Sequence, residues 1–156
     1  MESPAKTTPI DGLIFVPRKS IGDERGSVFH LLRADSEYFH SFGEVYISTV
    51  RAGIVKAWKK HLEMTQSLAV PFGKVLFVCY DHRPLSKTFK NIATIELGQD
   101  PYGMLRIPPG IWYGFQGISS DQDSVIVNCA DMVHNPAEVV RLDATSPEIP
   151  YTWKNH

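Results

Sequence analysis

The chain has 156 residues, 43% of them hydrophobic and 21% charged, a composition that fits one globular domain with a substantial core and argues against long disorder. Lys plus Arg (16) nearly balances Asp plus Glu (17), for a net charge of -1. That balance lacks the basic excess of a nucleic-acid surface but leaves room for a small anion held by local cations. No apolar run is long enough for a membrane span. The opening MESPAKTTPIDG has no apolar signal-peptide core, and residues 1–11 read as a flexible leader. Cys79 and Cys129 sit in the apolar runs VLFVCYD and VIVNCAD, the setting of buried reduced thiols, and a cytoplasmic location is expected.

Along the chain, short β-rich runs alternate with Gly, Pro and Asp. GLIFVP and GSVFHLLR flank the turn-like IGDERG. DSEYFHSF reads as a short helix capped by Asp35 or Ser36. EVYISTV and IVKAWKKH look like the arms of a hairpin around Arg51–Gly53, and TQSLAVPF and KVLFVCYD follow on either side of Gly73. FKNIATIELG runs into the turn DPYG. MLRIP, IWYGFQGI and SVIVNCAD complete the set, Pro136 starts one short helical turn, and Pro147 and Pro150 keep the tail extended. So many short strands without repeats or linkers predict one all-β sandwich or barrel over residues 1–156.

Four segments carry a resemblance. GDERGSVF, YDHRPLSKTFKNIATIEL, LRIPPGIWYGF and the closing PYTW occur in the order and spacing of the dTDP-4-dehydrorhamnose 3,5-epimerase family, from Gly12 to Trp153. The segment RAGIVKAWKKHLEMTQSLAVPFG is also similar to the dTDP-sugar 3,4-ketoisomerases. Both resemblances imply a cupin-like double-stranded β-helix, or jelly-roll, barrel with one or two short helical turns. The first implies a homodimer with the N-terminal strand at the interface and the GDERG region approaching the other copy's site. GLIFVP is apolar enough to serve as an edge strand that needs covering.

The residues themselves suit a sugar-phosphate ligand. A diphosphate needs cations, which Arg25, Lys56 and Lys59 offer; a sugar ring needs aromatic walls and polar edges, which Tyr46, Ser48, Trp58 and Gln66 offer. Epimerisation beside a keto group needs a base on one face, an acid on the other and support for the enolate. The family's base is a His in RGLH, whose position here is Lys59, with His61 two residues on. The position of its late-strand Tyr acid is Asn128, that of a further His is Tyr113, and the orienting C-terminal Asp falls beyond the end of the sequence given. In a strand, Lys59 and His61 share a face, ~7 Å apart. An ordinary His is substantially neutral at pH 7 and an ordinary Lys is not, so the sequence favours His61 as base, Lys59 as a phosphate or carbonyl contact and Tyr113 as acid or enolate donor. Asn128 can help bind a carbonyl.

A metal cupin needs HxH, a Glu and a later His. Lys59 and Tyr113 stand at two of those places, and His30, His40, His82, His134 and His156 lie outside the pattern, so no metal is expected. The leading expectation is an epimerase or isomerase of a nucleotide-linked, dTDP-type 4-keto-6-deoxy sugar, without metal or organic cofactor and without nucleic-acid or membrane partners. The alternatives are a dTDP-sugar 3,4-ketoisomerase, suggested by His61 and Gln66, and a non-catalytic nucleotide-sugar-binding protein.

Overall fold

Residues 3–154 are described by a computed structural model. Met1, Glu2, Asn155 and His156 therefore lie outside the described residues. The β-rich runs of the sequence become strands, some with alternating burial, as at Ser124–Ala130, and others buried on both faces, as at Lys74–Asp81 and Ile111–Gly117. The chain begins with β1 (Lys6–Thr7), β2 (Ile14–Pro17), β3 (Ser20–Asp23) and β4 (Gly26–Phe29). It continues with β5 (Glu44–Val50), β6 (Val55–His61), β7 (Gln66–Phe72) and β8 (Lys74–Asp81). Then come β9 (Ile92–Gly98), β10 (Gly103–Ile107), β11 (Ile111–Gly117), β12 (Ser124–Ala130) and, after a 3-10 turn at Pro136–Glu138, β13 (Val139–Arg141).

Two antiparallel sheets form, ordered β1-β2-β10-β7-β12-β5 and β13-β6-β11-β8-β9, with β3 and β4 as a separate hairpin. From β5 to β12 the chain changes sheet at every step except β8 to β9, which is the winding of a cupin-like jelly roll. The winding corrects one expectation. β5 and β6 are not a hairpin: β5 pairs with β12 and β6 with β11, because crossing between sheets lets each strand bury its apolar side against the facing sheet. The expected helix at 35–42 is also absent; Ser36 N–H donates to Arg33 O and Phe39 N–H to Ser36 O, giving isolated turns. Pro136 does open a helical turn, capped by Asn135, whose side chain accepts from the Ala137 N–H. The expected flexible leader is corrected too: Lys6–Thr7 pairs with β2 and Ile10 is buried in the core, so the chain is tied down there.

There are two apolar layers. Between the sheets lie Leu13, Phe15, Leu68, Val70, Phe77, Leu105, Ile111 and Ile126 among others. Outside the five-stranded sheet, Trp58, Val78, Tyr80 and Trp112 are covered by the tail through Ile149, Tyr151 and Trp153. Gly114 permits this closure: a Cβ there would meet Trp153 Cζ2 at 2.8 Å and collide with the Ala57 side chain. The YDHRPLSKTF segment is a knot rather than a pocket wall. Asp81, fully buried, accepts from Arg83, Ser86 and Thr88 at 2.7–2.9 Å, and Arg83 Nη2 also donates to Asp11 O. Burial pushes the Asp81 carboxyl up, but those donors outweigh it and hold it well below the usual carboxylate range.

Candidate active site

A cavity of about 420 Å³ opens between the sheets. One wall, from β5, β7 and β12, presents Tyr46, Ser48, Leu68, Ile126 and Asn128; the other, from β6, β11 and β13, presents Lys56, Ala57, Lys59, Tyr113, Phe115 and Arg141. Its volume suits a small-molecule ligand.

The register explains the second wall. Tyr113 pairs with Lys59, and Lys59 with Arg141, so the three stand in one row across adjacent strands. A shift between Tyr113 and Phe115 sets Phe115 opposite Lys56, leaving one extra residue on β6. Such a bulge resets the side-chain alternation, and so Lys56 and Lys59, three apart, both border the cavity. Lys56 Nζ donates to Thr49 O at 2.6 Å, and Lys59 Nζ sits over the Tyr113 ring, 5.5 Å from its centroid. Burial in first place and the Arg141 charge in second lower the Lys59 pKa, against a smaller pull from Glu138. Burial also raises the Tyr113 phenol well above its ordinary value, which keeps it neutral.

His61 lies behind this wall. It is 4% exposed and does not line the cavity; its ring stacks on Tyr113 with centroids 6.5 Å apart. Nδ1 is hydrogen-bonded to the Glu138 carboxylate and Nε2 to Gln66 Nε2 at 2.6 Å. A neutral ring with its proton on Nδ1 satisfies both contacts, the Gln66 amide donating to Nε2. Burial lowers the His61 pKa, outweighing the Glu138 carboxylate. Glu138, 3% exposed, also accepts from the N–H groups of Leu62, Glu63 and Met64 at 3.0–3.3 Å. Burial pushes its carboxyl up, yet these donors leave it below its ordinary value.

Seven of the sequence-nominated residues thus border one cavity: Tyr46, Ser48, Lys56, Trp58, Lys59, Tyr113 and Asn128. Trp58 does so without offering its ring, since the indole packs on Trp153 and its N–H donates to Ala144 O. Tyr46, Tyr113 and Phe115 are the aromatic lining instead. His61 and Gln66 belong to the buried cluster. Arg25 is outside the cavity, at the tip of the β3–β4 hairpin, 84% exposed by side chain and paired with Asp23. Sequence reading missed Glu138 and Arg141. The only signal for Arg141 was a charge closing the apolar VVR strand; Glu138 meets His61 across 77 residues, which no local pattern encodes. Among the described residues there is no cluster of three or more His, Cys, Asp or Glu fit for a metal ion, and no helix is long and apolar enough to cross a membrane.

The comparisons agree with this architecture. A crystal structure of a dTDP sugar isomerase from Desulfovibrio desulfuricans G20 superposes with a TM-score of 0.92 at 42% identity, covering 95% of this chain and 94% of that one. The probable low-salt glycan biosynthesis epimerase Agl13 of Haloferax volcanii is 32% identical over 108 residues, 68% of this chain and 69% of its own length. The spore coat polysaccharide biosynthesis protein SpsL of Bacillus subtilis is 28% identical over 146 residues, 92% of this chain and 96% of its own length. The family model described as dTDP-4-dehydrorhamnose 3,5-epimerase matches residues 7–156, and the chain belongs to that family.

Proposed function

We propose that this chain is an epimerase of a nucleotide-linked, dTDP-type 4-keto-6-deoxy sugar in deoxysugar or polysaccharide biosynthesis, acting by removal and return of a proton beside the keto group. The observation that carries the reading is Lys59: a lysine on the cavity wall whose ammonium form is disfavoured by burial and by Arg141. An amine so placed gives up its proton more readily than an ordinary lysine, and in its neutral form it can take a proton from carbon. The C–H electron pair then becomes the enolate. Tyr113, a neutral phenol beside Lys59, is suited to donate a hydrogen bond to the enolate oxygen. Lys56 and Arg141 offer charge for the diphosphate.

The geometry favours Lys59 over His61 as base, because both His61 ring nitrogens are engaged and the ring does not border the cavity. The ketoisomerase alternative loses support for the same reason, since it leaned on His61 and Gln66. A homodimer is part of the proposal, with the Arg25 hairpin of one copy approaching the cavity of the other. Its support is that Arg25 is exposed and does not line its own cavity, and that Val45 and Ile47, on the opposite face of β5 from Tyr46, are 52% and 67% exposed. The expected edge role of GLIFVP is corrected: β2 is flanked on both sides, by β1 and β10, because Lys6–Thr7 pairs along it, and β1 is the strand at that sheet edge.

The test is deuterium uptake from solvent into dTDP-4-keto-6-deoxyglucose and related keto sugars, with the product read by NMR. Inversion at carbon 3 or 5 is the expected result; no uptake with any of them sinks the reading. Sedimentation at micromolar concentration checks the dimer, and a monomer mass removes it.

A further inference from the structure

Inverting a carbon requires that the proton come back on the face opposite to the base, so a donor must stand on the wall facing Lys59. Asn128, on that wall, has no acidic proton to give. Its cross-strand partner on β5 does. We propose that Tyr46, held by Asn128, is the general acid that completes inversion. This assignment rests on the epimerase reading above.

Three observations carry it. First, Tyr46 lines the cavity from the six-stranded sheet, whereas Lys59 and Tyr113 line it from the five-stranded sheet. A sugar carbon between the sheets shows one face to each group. Second, Tyr46 and Asn128 are paired in register, and Asn128 Nδ2 donates to the Tyr46 hydroxyl oxygen at 2.8 Å. That bond occupies a lone pair and leaves the phenolic O–H free to turn to the substrate. It strengthens as the oxygen becomes a phenolate, so it stabilises the transition state more than the ground state. Third, Tyr46 is 37% exposed and can recover its proton from water, whereas Tyr113 is 3% exposed and shares the wall of Lys59. Burial raises the Tyr46 pKa and the Asn128 bond opposes it, so the phenol arrives protonated at neutral pH.

The step balances. The neutral Lys59 amine takes the proton and becomes ammonium, while the C–H pair becomes the enolate. The enolate pair then takes the Tyr46 proton on the other face, forming the new C–H bond and leaving a phenolate. Exchange with water returns the ammonium to amine and the phenolate to phenol.

Tyr46→Phe removes one oxygen and keeps the ring. In deuterium oxide with dTDP-4-keto-6-deoxyglucose, epimerised product from this variant should fall by ~10²-fold or more. KM should change little. Deuterium should still enter recovered, uninverted sugar, because Lys59 returns a deuteron to the face it came from. Asn128→Leu should lower product formation less and also spare that exchange. Product formation unchanged in Tyr46→Phe, or exchange and product lost together with a raised KM, overturns the assignment and leaves Tyr46 as a binding wall. A wild type that exchanges nothing overturns the epimerase reading, and this assignment with it.

Discussion

Lys59 and His61 are two residues apart on one strand, face the same side of it, and live in different chemical worlds. Lys59 stands in the row Tyr113–Lys59–Arg141 on the cavity, with no carboxylate partner of its own within salt-bridge distance among the described residues. His61, one pleat deeper, has both ring nitrogens satisfied by Glu138 and Gln66. A polar group whose hydrogen bonds close within the protein has little left to offer a substrate, whereas a cation held in a half-buried cavity without a counter-ion is poised to lose its proton. The neighbouring positions teach that inward direction does not define a site; unmet bonding capacity does.

The strongest way to break this comparison is Lys59→Met. Deuterium exchange and product formation should both fall by ~10²–10⁴-fold, while the denaturant midpoint stays near that of the wild type. Exchange surviving in this variant and vanishing in His61→Asn would reverse the assignment. Glu138→Ala probes the other side. It strands the His61 ring and the Glu63 and Met64 N–H groups, while the Leu62 N–H keeps its bond to the residue-138 carbonyl, so unfolding should show a loss of about 3 kcal/mol, with exchange per folded molecule largely kept. Asp81→Ala extends the contrast to a buried carboxylate outside the cavity lining. Loss of its bonds to Arg83, Ser86 and Thr88 should cost about 2 kcal/mol in the same measurement, with kcat unaltered.

These contrasts also mark how far the sequence was legible. Strand positions could be read closely, EVYISTV coinciding with β5 and KVLFVCYD with β8, because a strand's alternation is a local property. Pairing could not: β5 to β6 looks like a hairpin in sequence, and only the facing sheet makes the crossing favourable. Seven of the nominated site residues do line one cavity, since strand alternation and family motifs together select inward positions. What failed was depth and distance. Alternation cannot say that His61 and Gln66 sit behind the cavity wall, nor that Glu138 arrives there from a turn after the last long strand. The YDHRPLSKTF motif read as part of a functional signature because motif and function travel together in a family; its Asp81 knot shows that the travelling element is a loop scaffold.

The smallest expected effect is the pH dependence of stability that the buried cluster imposes. Burial first, with Lys59 and His134 adding positive charge, lowers the His61 pKa in the folded chain despite the Glu138 carboxylate. Tyr113 and Gln66 face the ring as neutral groups. Above the unfolded value of ~6.5 both states carry a neutral imidazole and the group contributes its full stability. As pH falls below ~6.5 the unfolded chain takes up the proton first, so folding stability declines until the folded pKa is passed. The slope from this one group cannot exceed ~1.4 kcal/mol per pH unit. Glu138 and Asp81, whose folded pKa values are depressed, add their own losses in a separate, lower window that opens below the unfolded carboxylate values of ~4. Denaturant midpoints measured from pH 7.5 down to pH 3 should therefore fall in two stages. His61→Asn should flatten the upper stage and leave the lower one, because the carboxylates keep most of their donors. An upper stage unchanged in that variant would mean that His61 is not the group held neutral, and the distinction drawn between the cavity wall and the cluster behind it would lose its electrostatic half.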